Sequence, residues 1–585
     1  MITKKTKKRV SGLVLSLSLL SASFTAPDVY AQGKQTIKTY LYSRDRVENW
    51  QCYSKDHVPV PYVAINDYLN KAYTIYFSSE KLSDGTYRIA NKRGEMIVDP
   101  EKDTIRFDAF ERLLYYDGRI EPGNTGQMKY EAGEEFTYVG DPKPLEMDLS
   151  AYDIDIIEDN GKVYLPLTTI CDIASISYCS AVYYNGEISF NYSLQEPFVN
   201  WRGNLNNLTR SADEIAFTYN ELCFAMDYLY VFPSRRQLAE ELKNKGFDRT
   251  LQEHDSETRL VREYLLSSDA SRFVMALTIL TVMLDDGGHT YLDYVTYNGG
   301  SPVIKAYKDI LNDATDPATV IYNKWYSKKL ARIANSNRIR NYQSGYNKYE
   351  SIKVFDQKSS DGNRFRYYEY DDTGIFVYHN YNERTVEYFK KALDLAKAHG
   401  MKNFVLDQSD NDGGYVDSAM YMVYAMTGED KSYFEGPKTG NITVSKDYFD
   451  LDLDGEFEEE NEDFRYSFNY AVICSAGSYS AGSNMPCIVK EYGIPILGQT
   501  SGGGGCYWGE FKMTWGNLYN LASYATLKTK DGKSIEDGAT PDYELDYSEI
   551  HDFEKIDEIL DKHYAKRNFI KKCLIYLLGS VTILK

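Results

Sequence analysis

The stretch Tyr470-Ala471-Val472-Ile473-Cys474-Ser475-Ala476-Gly477-Ser478-Tyr479-Ser480-Ala481-Gly482-Ser483 changes character half-way along. Tyr470 to Cys474 is a short apolar run of β type. After a Ser/Gly turn, Ala481 to Glu491 carries a helical pattern. The same alternation surrounds it. Gly374 to His379 reads as a strand and Glu387 to His399 as a helix. Asn403 to Asp407 is a strand, Val416 to Met426 a helix, and Pro495 to Leu497 a further strand. Strands alternating with helices predict an α/β domain.

Chemistry concentrates at the joints of this alternation. Ser480 stands between strand and helix, where unpaired amides and the helix dipole favour a developing oxyanion. The Ala481 amide is a natural donor there. Gly413-Gly414, after the strand Asn403 to Asp407, offers backbone that can approach closely with its amides exposed. A base is then needed. His289 sits in Asp285-Asp286-Gly287-Gly288-His289-Thr290, directly after the apolar, buried helix expected over Ser271 to Leu284. Taken singly, Ser480 reads as an ordinary N-cap serine, His289 as a loop histidine and Gly413-Gly414 as a turn. The reading rests on the set.

That set resembles the serine peptidases of the C-terminal-processing (tail-specific) and tricorn superfamily. The strand-borne Asp-Leu-Arg-x-Asn-x-Gly-Gly of that superfamily appears as Asp407, Asn411, Gly413 and Gly414, with Gln408 and Ser409 replacing Leu and Arg. Its nucleophile motif appears as Ser480-Ala481-Gly482-Ser483, with Ser483 in place of Glu. Its glycine-rich Thr motif appears as Gly498-Gln499-Thr500-Ser501-Gly502-Gly503. The tail-specific branch uses a Ser–Lys dyad, but no Lys occurs between Lys490 and Lys512. The tricorn-like branch takes its base from a His-Thr loop, matched by His289-Thr290, and adds a Glu ahead of Gly-x-x-Pro-Asp, matched by Glu536 before Gly538 and Pro541-Asp542. A Ser often precedes the histidine in that branch, and here the position is Gly288. The resemblance implies a Clp-protease/crotonase-like α/β core, with Ser480, His289 and Glu536 as catalytic residues. It implies the backbone amides of Gly413, Gly414 and Ala481 as the oxyanion hole. Peptides or unfolded proteins are the implied substrates, and no cofactor is required for catalysis. A non-catalytic exported binding protein on the same fold is the alternative, favoured by Gly288, Ser409 and Ser483. It is distinguished by whether Ser480 and His289 face each other.

The remainder of the chain frames this core. Residues 1–31 carry a basic head (Lys4, Lys5, Lys7, Lys8, Arg9), an apolar run and Val29-Tyr30-Ala31, the layout of a secretory signal peptide. The chain of 585 residues has a formal net charge of −20, and removing five basic residues and Asp28 makes it more acidic still. That excludes the basic footprint of a nucleic-acid binder. The expected location is secreted or cell-surface associated. Residues 32–200 are β-rich with short helices, and Val163 to Phe190 resembles the copper-amine-oxidase-like module of exported bacterial proteins. This implies a spacer or wall-binding module in contact with the cell wall and separable from catalysis. Residues 204–300 are a helical region ending in the His loop. Residues 301–372 are a connecting region with no clear PDZ motif. Residues 373–548 are the peptidase core with an acidic insertion at 428–465, and 549–585 form a C-terminal tail. Within the insertion, Asp450, Asp452 and Asp454 precede Gly455 as in the first half of a calcium loop, a candidate structural calcium site. Among eight cysteines, Cys171 with Cys179 is the expected disulfide, and Cys474, Cys487 and Cys506 are expected to pack as small core residues.

Overall fold

The computed structural model describes residues 33–566, except 44, 74, 115–129, 175–178, 193–206, 232–237, 287–288, 293–300, 329–342, 361, 437, 455–465 and 515–517. The expected signal peptide, the apolar end of the C-terminal tail, Gly288 and Gly455 lie outside the described residues.

The α/β core is built on a seven-stranded sheet in the order Lys353–Lys358, Arg364–Tyr370, Thr373–Tyr378, Asn403–Asp407, Asn469–Cys474, Ile496–Gly498, Tyr543–Glu544. The first three strands form an antiparallel meander. From Thr373–Tyr378 onward the neighbours are parallel. Helices Glu383–His399, Val416–Thr427 and Ala481–Lys490 make the connections. Parallel strands covered on both faces read as continuous apolar runs whose side chains alternate between two cores. Phe404, Leu406, Val472, Cys474 and Ile496 enter the main core. Val405, Ala471, Ile473 and Leu497 point the other way, against Tyr346, Tyr349 and the helix at 553–566 through Phe553, Ile556 and Leu560. The described part of the C-terminal tail thus seals the far face of the sheet.

A second sheet runs Tyr291–Leu292, Leu518–Lys528, Lys431–Glu435, Ile442–Phe449, Tyr130–Val139, with Cys506–Lys512 paired to Leu518–Lys528. The acidic insertion is therefore not a plain loop. Its first part supplies two strands, and the alternation along Ile442–Phe449 is the period-two pattern of a half-buried strand.

The region expected to be a spacer is tied into this sheet. Its main body is a seven-stranded sheet that includes Gly33–Leu41, Val47–Ser54 and Lys162–Pro166. A hairpin turns at Asn185 (φ 50°) and Gly186 (φ 80°), the left-handed pair that a two-residue turn requires. From the same region, Tyr130–Val139 pairs antiparallel with Ile442–Phe449 of the insertion. Buried acids rivet the junction further. Asp172 Oδ1 accepts the Lys512 amide at 2.8 Å, and Glu111 accepts Thr439 Oγ1 at 2.6 Å and Asn441 Nδ2 at 3.3 Å. Thr168 and Thr169 hydroxyls both donate to Glu221 Oε1 at 2.6 Å. Residues on both sides of this junction share one hydrophobic core.

The helix Ala212–Tyr228 starts with a capping box between Ser211 and Glu214. The apolar helix Ala270–Leu284 is buried almost throughout and stops at Asp285 in the left-handed region (φ 39°), which turns the chain into the His loop. The Cys171–Cys179 bridge does not form. Cys171 is a buried free thiol that donates to the Ala181 carbonyl at 3.4 Å.

Candidate active site

Ser480 is the residue before the first turn of Ala481–Lys490, yet its side chain caps nothing, and its backbone is held at φ 54°, ψ −126°. For a residue with a Cβ this region costs about 1–3 kcal/mol, and it persists only where neighbours enforce it. The neighbours are visible. The Ser480 amide donates to the Gly503 carbonyl at 2.9 Å, and the Tyr479 amide to the Asn411 carbonyl at 2.9 Å. The Gly413 backbone (φ 108°) presses so closely that a Cβ there would stand 2.7 Å from Ser480 Cβ. The turn that carries Ser480 is thus clamped between the glycine turn after Asp407 and the glycine run after Thr500.

The second sheet delivers the imidazole. His289 stands two residues ahead of Tyr291, where the strand Tyr291–Leu292 begins, and is 8% exposed. Its Nε2 lies 3.4 Å from Ser480 Oγ, across 191 residues of sequence. Its ring packs beside Tyr479, with centroids 5.2 Å apart. The loop is anchored by Asp286, buried below it. Asp286 accepts the Thr290 amide at 3.1 Å, the Thr290 hydroxyl, and Tyr230 Oη at 3.2 Å. The Tyr479 hydroxyl reaches the Asp286 carbonyl at 2.8 Å, fastening the His loop to the Ser480 turn. Burial pulls the His289 imidazole below the ordinary histidine value, and the Asp286 charge opposes this.

Glu536 approaches this constellation indirectly. His289 Nδ1 meets Cys506 Sγ at 3.2 Å, and the Glu536 carboxylate lies near enough for its charge to raise the Cys506 thiol. Glu536 Oε2 also accepts the Gly505 amide at 2.9 Å. Cys506, which the sequence reading assigned to core packing, therefore stands between the two expected partners.

The three expected oxyanion donors separate. The Gly413 amide donates to Asn411 Oδ1 at 2.9 Å, so it departs from the expected role. Among the described residues, no protein acceptor takes the amides of Gly414 and Ala481. Asn411 thus holds the glycine turn in shape rather than facing the cleft.

The departures from the superfamily pattern have structural accounts. Buried Gln408 accepts from the Tyr378 and Tyr381 hydroxyls at 3.0 and 2.6 Å and donates to the Gly482 carbonyl at 2.8 Å. It links the strand Asn403–Asp407 to the helix behind Ser480. Ser483 pairs with Ser501 at 2.8 Å and accepts the Gly503 amide at 3.0 Å, holding the glycine run that in turn holds Ser480. Asp407 accepts the Ser409 amide at 3.0 Å and the Tyr346 hydroxyl, a partner with no local sequence signal. Asp450, Asp452 and Asp454 can bring one oxygen each within 4.8 Å of one another. Asp450 Oδ1 also accepts the amides of Leu453 and Asp454 at 2.7 and 3.2 Å.

Residues 372–545 match the family model of peptidase family S41. The match contains Ser480, Gly413, Gly414, Cys506 and Glu536, while His289 lies ahead of it. A comparison with curated proteins finds no match. Among solved structures, the chain is similar to a photosystem II D1 C-terminal processing protease (21% identity, TM-score 0.24), the alignment covering 30% of this chain and 42% of that protease. It is similar to mature CPAF at 13% identity and TM-score 0.35, over 62% of this chain and 97% of that one. The tricorn protease aligns at 11% identity and TM-score 0.30, over 88% of this chain and 47% of that one. The chain thus spans less than half the length of the processing protease. By the family match, residues 372–545, which hold the α/β core, are similar to peptidase family S41.

Proposed function

We propose that this protein is an exported serine peptidase of the tricorn-like type, with Ser480 as nucleophile and His289 as general base. The observation that carries the reading is the 3.4 Å approach of His289 Nε2 to Ser480 Oγ. A base within hydrogen-bond reach of a hydroxyl is what nucleophilic attack requires. Ser480 Oγ attacks the peptide carbonyl and gives its proton to His289 Nε2. The imidazolium then returns that proton to the leaving amine, and water repeats the cycle on the acyl-enzyme. The amides of Gly414 and Ala481 stabilise the tetrahedral oxyanion, with the first turn of Ala481–Lys490 adding its dipole. Glu536 acts on His289 at one remove. Export rests on the basic and apolar layout of residues 1–31 and on the acidic composition of the remainder.

The test is covalent labelling of the full chain by a fluorophosphonate, with peptide hydrolysis alongside. Wild type labels, whereas Ser480→Ala and His289→Ala do not, and both keep a cooperative melt. Full labelling of Ser480→Ala would overturn the assignment and restore the non-catalytic binding protein.

A further inference from the structure

The buried contact between His289 and Cys506 is unexplained by a nucleophile and a base alone. His289 must present an unprotonated Nε2 to Ser480 to act as a base. A neutral imidazole carries one N–H, so its proton must then sit on Nδ1, and something must hold it there. The Gly288 position lacks the hydroxyl that the superfamily resemblance would supply beside the histidine. Cys506, at the start of the strand Cys506–Lys512, reaches His289 Nδ1.

The donor and acceptor pattern around the sulfur is one-directional. Cys506 Sγ meets His289 Nδ1 at 3.2 Å, and the nearby Glu536 charge acts on the thiol. A thiol carries a single hydrogen, and the negative carboxylate draws it away from the imidazole. The sulfur lone pairs then face Nδ1 and accept its N–H. Burial and the neighbouring acidic groups push the thiol well above its ordinary range, so it stays protonated.

We propose that Cys506 is a positioning residue that couples Glu536 to His289, fixing the Nδ1–H tautomer and leaving the Nε2 lone pair for Ser480. This rests on the assignment of Ser480 and His289 above. During attack the Ser480 proton moves to Nε2, the Nδ1–H stays on nitrogen, and the thiol proton stays on sulfur. No bond to Cys506 forms or breaks. The new positive charge on the ring lies beside a thiol already polarised by the carboxylate, which stabilises the imidazolium.

The experiment uses the full-length protein as wild type, Cys506→Ala, Cys506→Ser and Glu536→Gln. Fluorophosphonate labelling rates are followed against pH, and 15N spectra are recorded on histidine-labelled protein. Cys506→Ala should label ~10- to 100-fold more slowly, a fraction of what a positioned base supplies, with its pH profile displaced. Cys506→Ser, whose hydroxyl both donates and accepts, should recover most of that rate. Glu536→Gln should lose rate without losing Ser480 reactivity altogether, and it serves in place of the alanine variant if that one melts early. The His289 15N signals should show the Nδ1–H tautomer in wild type and a mixture in Cys506→Ala. A folded Cys506→Ala with the wild-type rate and pH profile overturns the proposal. If wild type itself does not label, the peptidase reading fails. The 15N comparison then decides the bridge alone, and an unchanged tautomer in Cys506→Ala overturns it.

Discussion

Replacing Gly413 by Ala should slow catalysis as well as cost stability, because the contact it disturbs is with the nucleophile. At φ 108° the added Cβ would stand 2.7 Å from Ser480 Cβ and 2.9 Å from the Tyr479 carbonyl oxygen. Carbon atoms pack at about 3.5–4.0 Å, so Ser480 or the glycine turn must retreat by roughly 1 Å. Ser480 Oγ starts 3.4 Å from His289 Nε2, near the outer edge of hydrogen-bond reach. A displacement of this size away from the ring breaks the contact, and misplacement by about 1 Å commonly costs ~100-fold in rate. The left-handed backbone adds about 1–3 kcal/mol and overpacking a similar amount, for a total loss of roughly 2–6 kcal/mol. Gly400→Ala is the control. It is also left-handed (φ 75°), at the C-terminus of Glu383–His399, but a Cβ there meets nothing within 4 Å. It should cost about 1 kcal/mol and leave labelling untouched. The assay is fluorophosphonate labelling rate beside a thermal melt for both variants. A Gly413→Ala protein that labels at the wild-type rate would refute the close packing of the glycine turn on Ser480.

Further outcomes follow for pH, truncation and metal removal. The depressed His289 value places the acid limb of labelling below the ordinary 6.5, with the rate rising as pH rises and then levelling. The unfolded chain protonates this ring before the native state does. Stability from this group is therefore complete above pH 6.5 and declines as pH falls below it, a slope that His289→Gln should remove in melts taken across that range. A chain starting near Asn204 loses the strand Tyr130–Val139 together with Glu111 and Asp172, and should give neither a cooperative melt nor labelling. A chelator should leave the hydrolysis rate unchanged, since attack by Ser480 needs no metal. A chelator-induced fall in melting temperature that Asp450→Asn abolishes would identify an ion held by Asp450, Asp452 and Asp454.

The α/β core was legible because its strands are short apolar runs and its helices begin at turn residues, both of which are local signals. Ser480 and the glycine turn followed from their positions at the ends of those strands. His289 was legible only through the His-Thr loop, as nothing local brings residue 289 to residue 480. Cys506 was missed for the opposite reason. It follows a glycine run and opens a strand, which reads as packing, and its role depends on a neighbour 217 residues away. The strand Ile442–Phe449 carries little signal, because the residues it buries are Thr443, Ser445 and Asp447 together with Phe449, a largely polar face that apolar patterning does not reveal. Its partner Tyr130–Val139 could not be found this way, since strand pairing over such a separation leaves no mark in either segment alone.

These long-range pairings assign different halves of the chemistry to different sheets. The parallel sheet holds the turns that bear Ser480, Gly414 and Ala481. The second sheet holds His289 at one strand, Cys506 at another, and the insertion strands beyond them. Alignment of nucleophile and base is therefore an alignment of two sheets, fixed where the Tyr479 hydroxyl meets the Asp286 carbonyl and where Ser480 meets Gly503. The second sheet is completed by a strand from the N-terminal region, and the Lys512 amide on its Cys506 strand is held by Asp172 from that same region. A spacer would leave the position of His289 indifferent to its presence. Here the chain that would be the spacer instead braces the strand carrying Cys506, so perturbing Asp172 should reach Ser480 reactivity through the base rather than through the nucleophile.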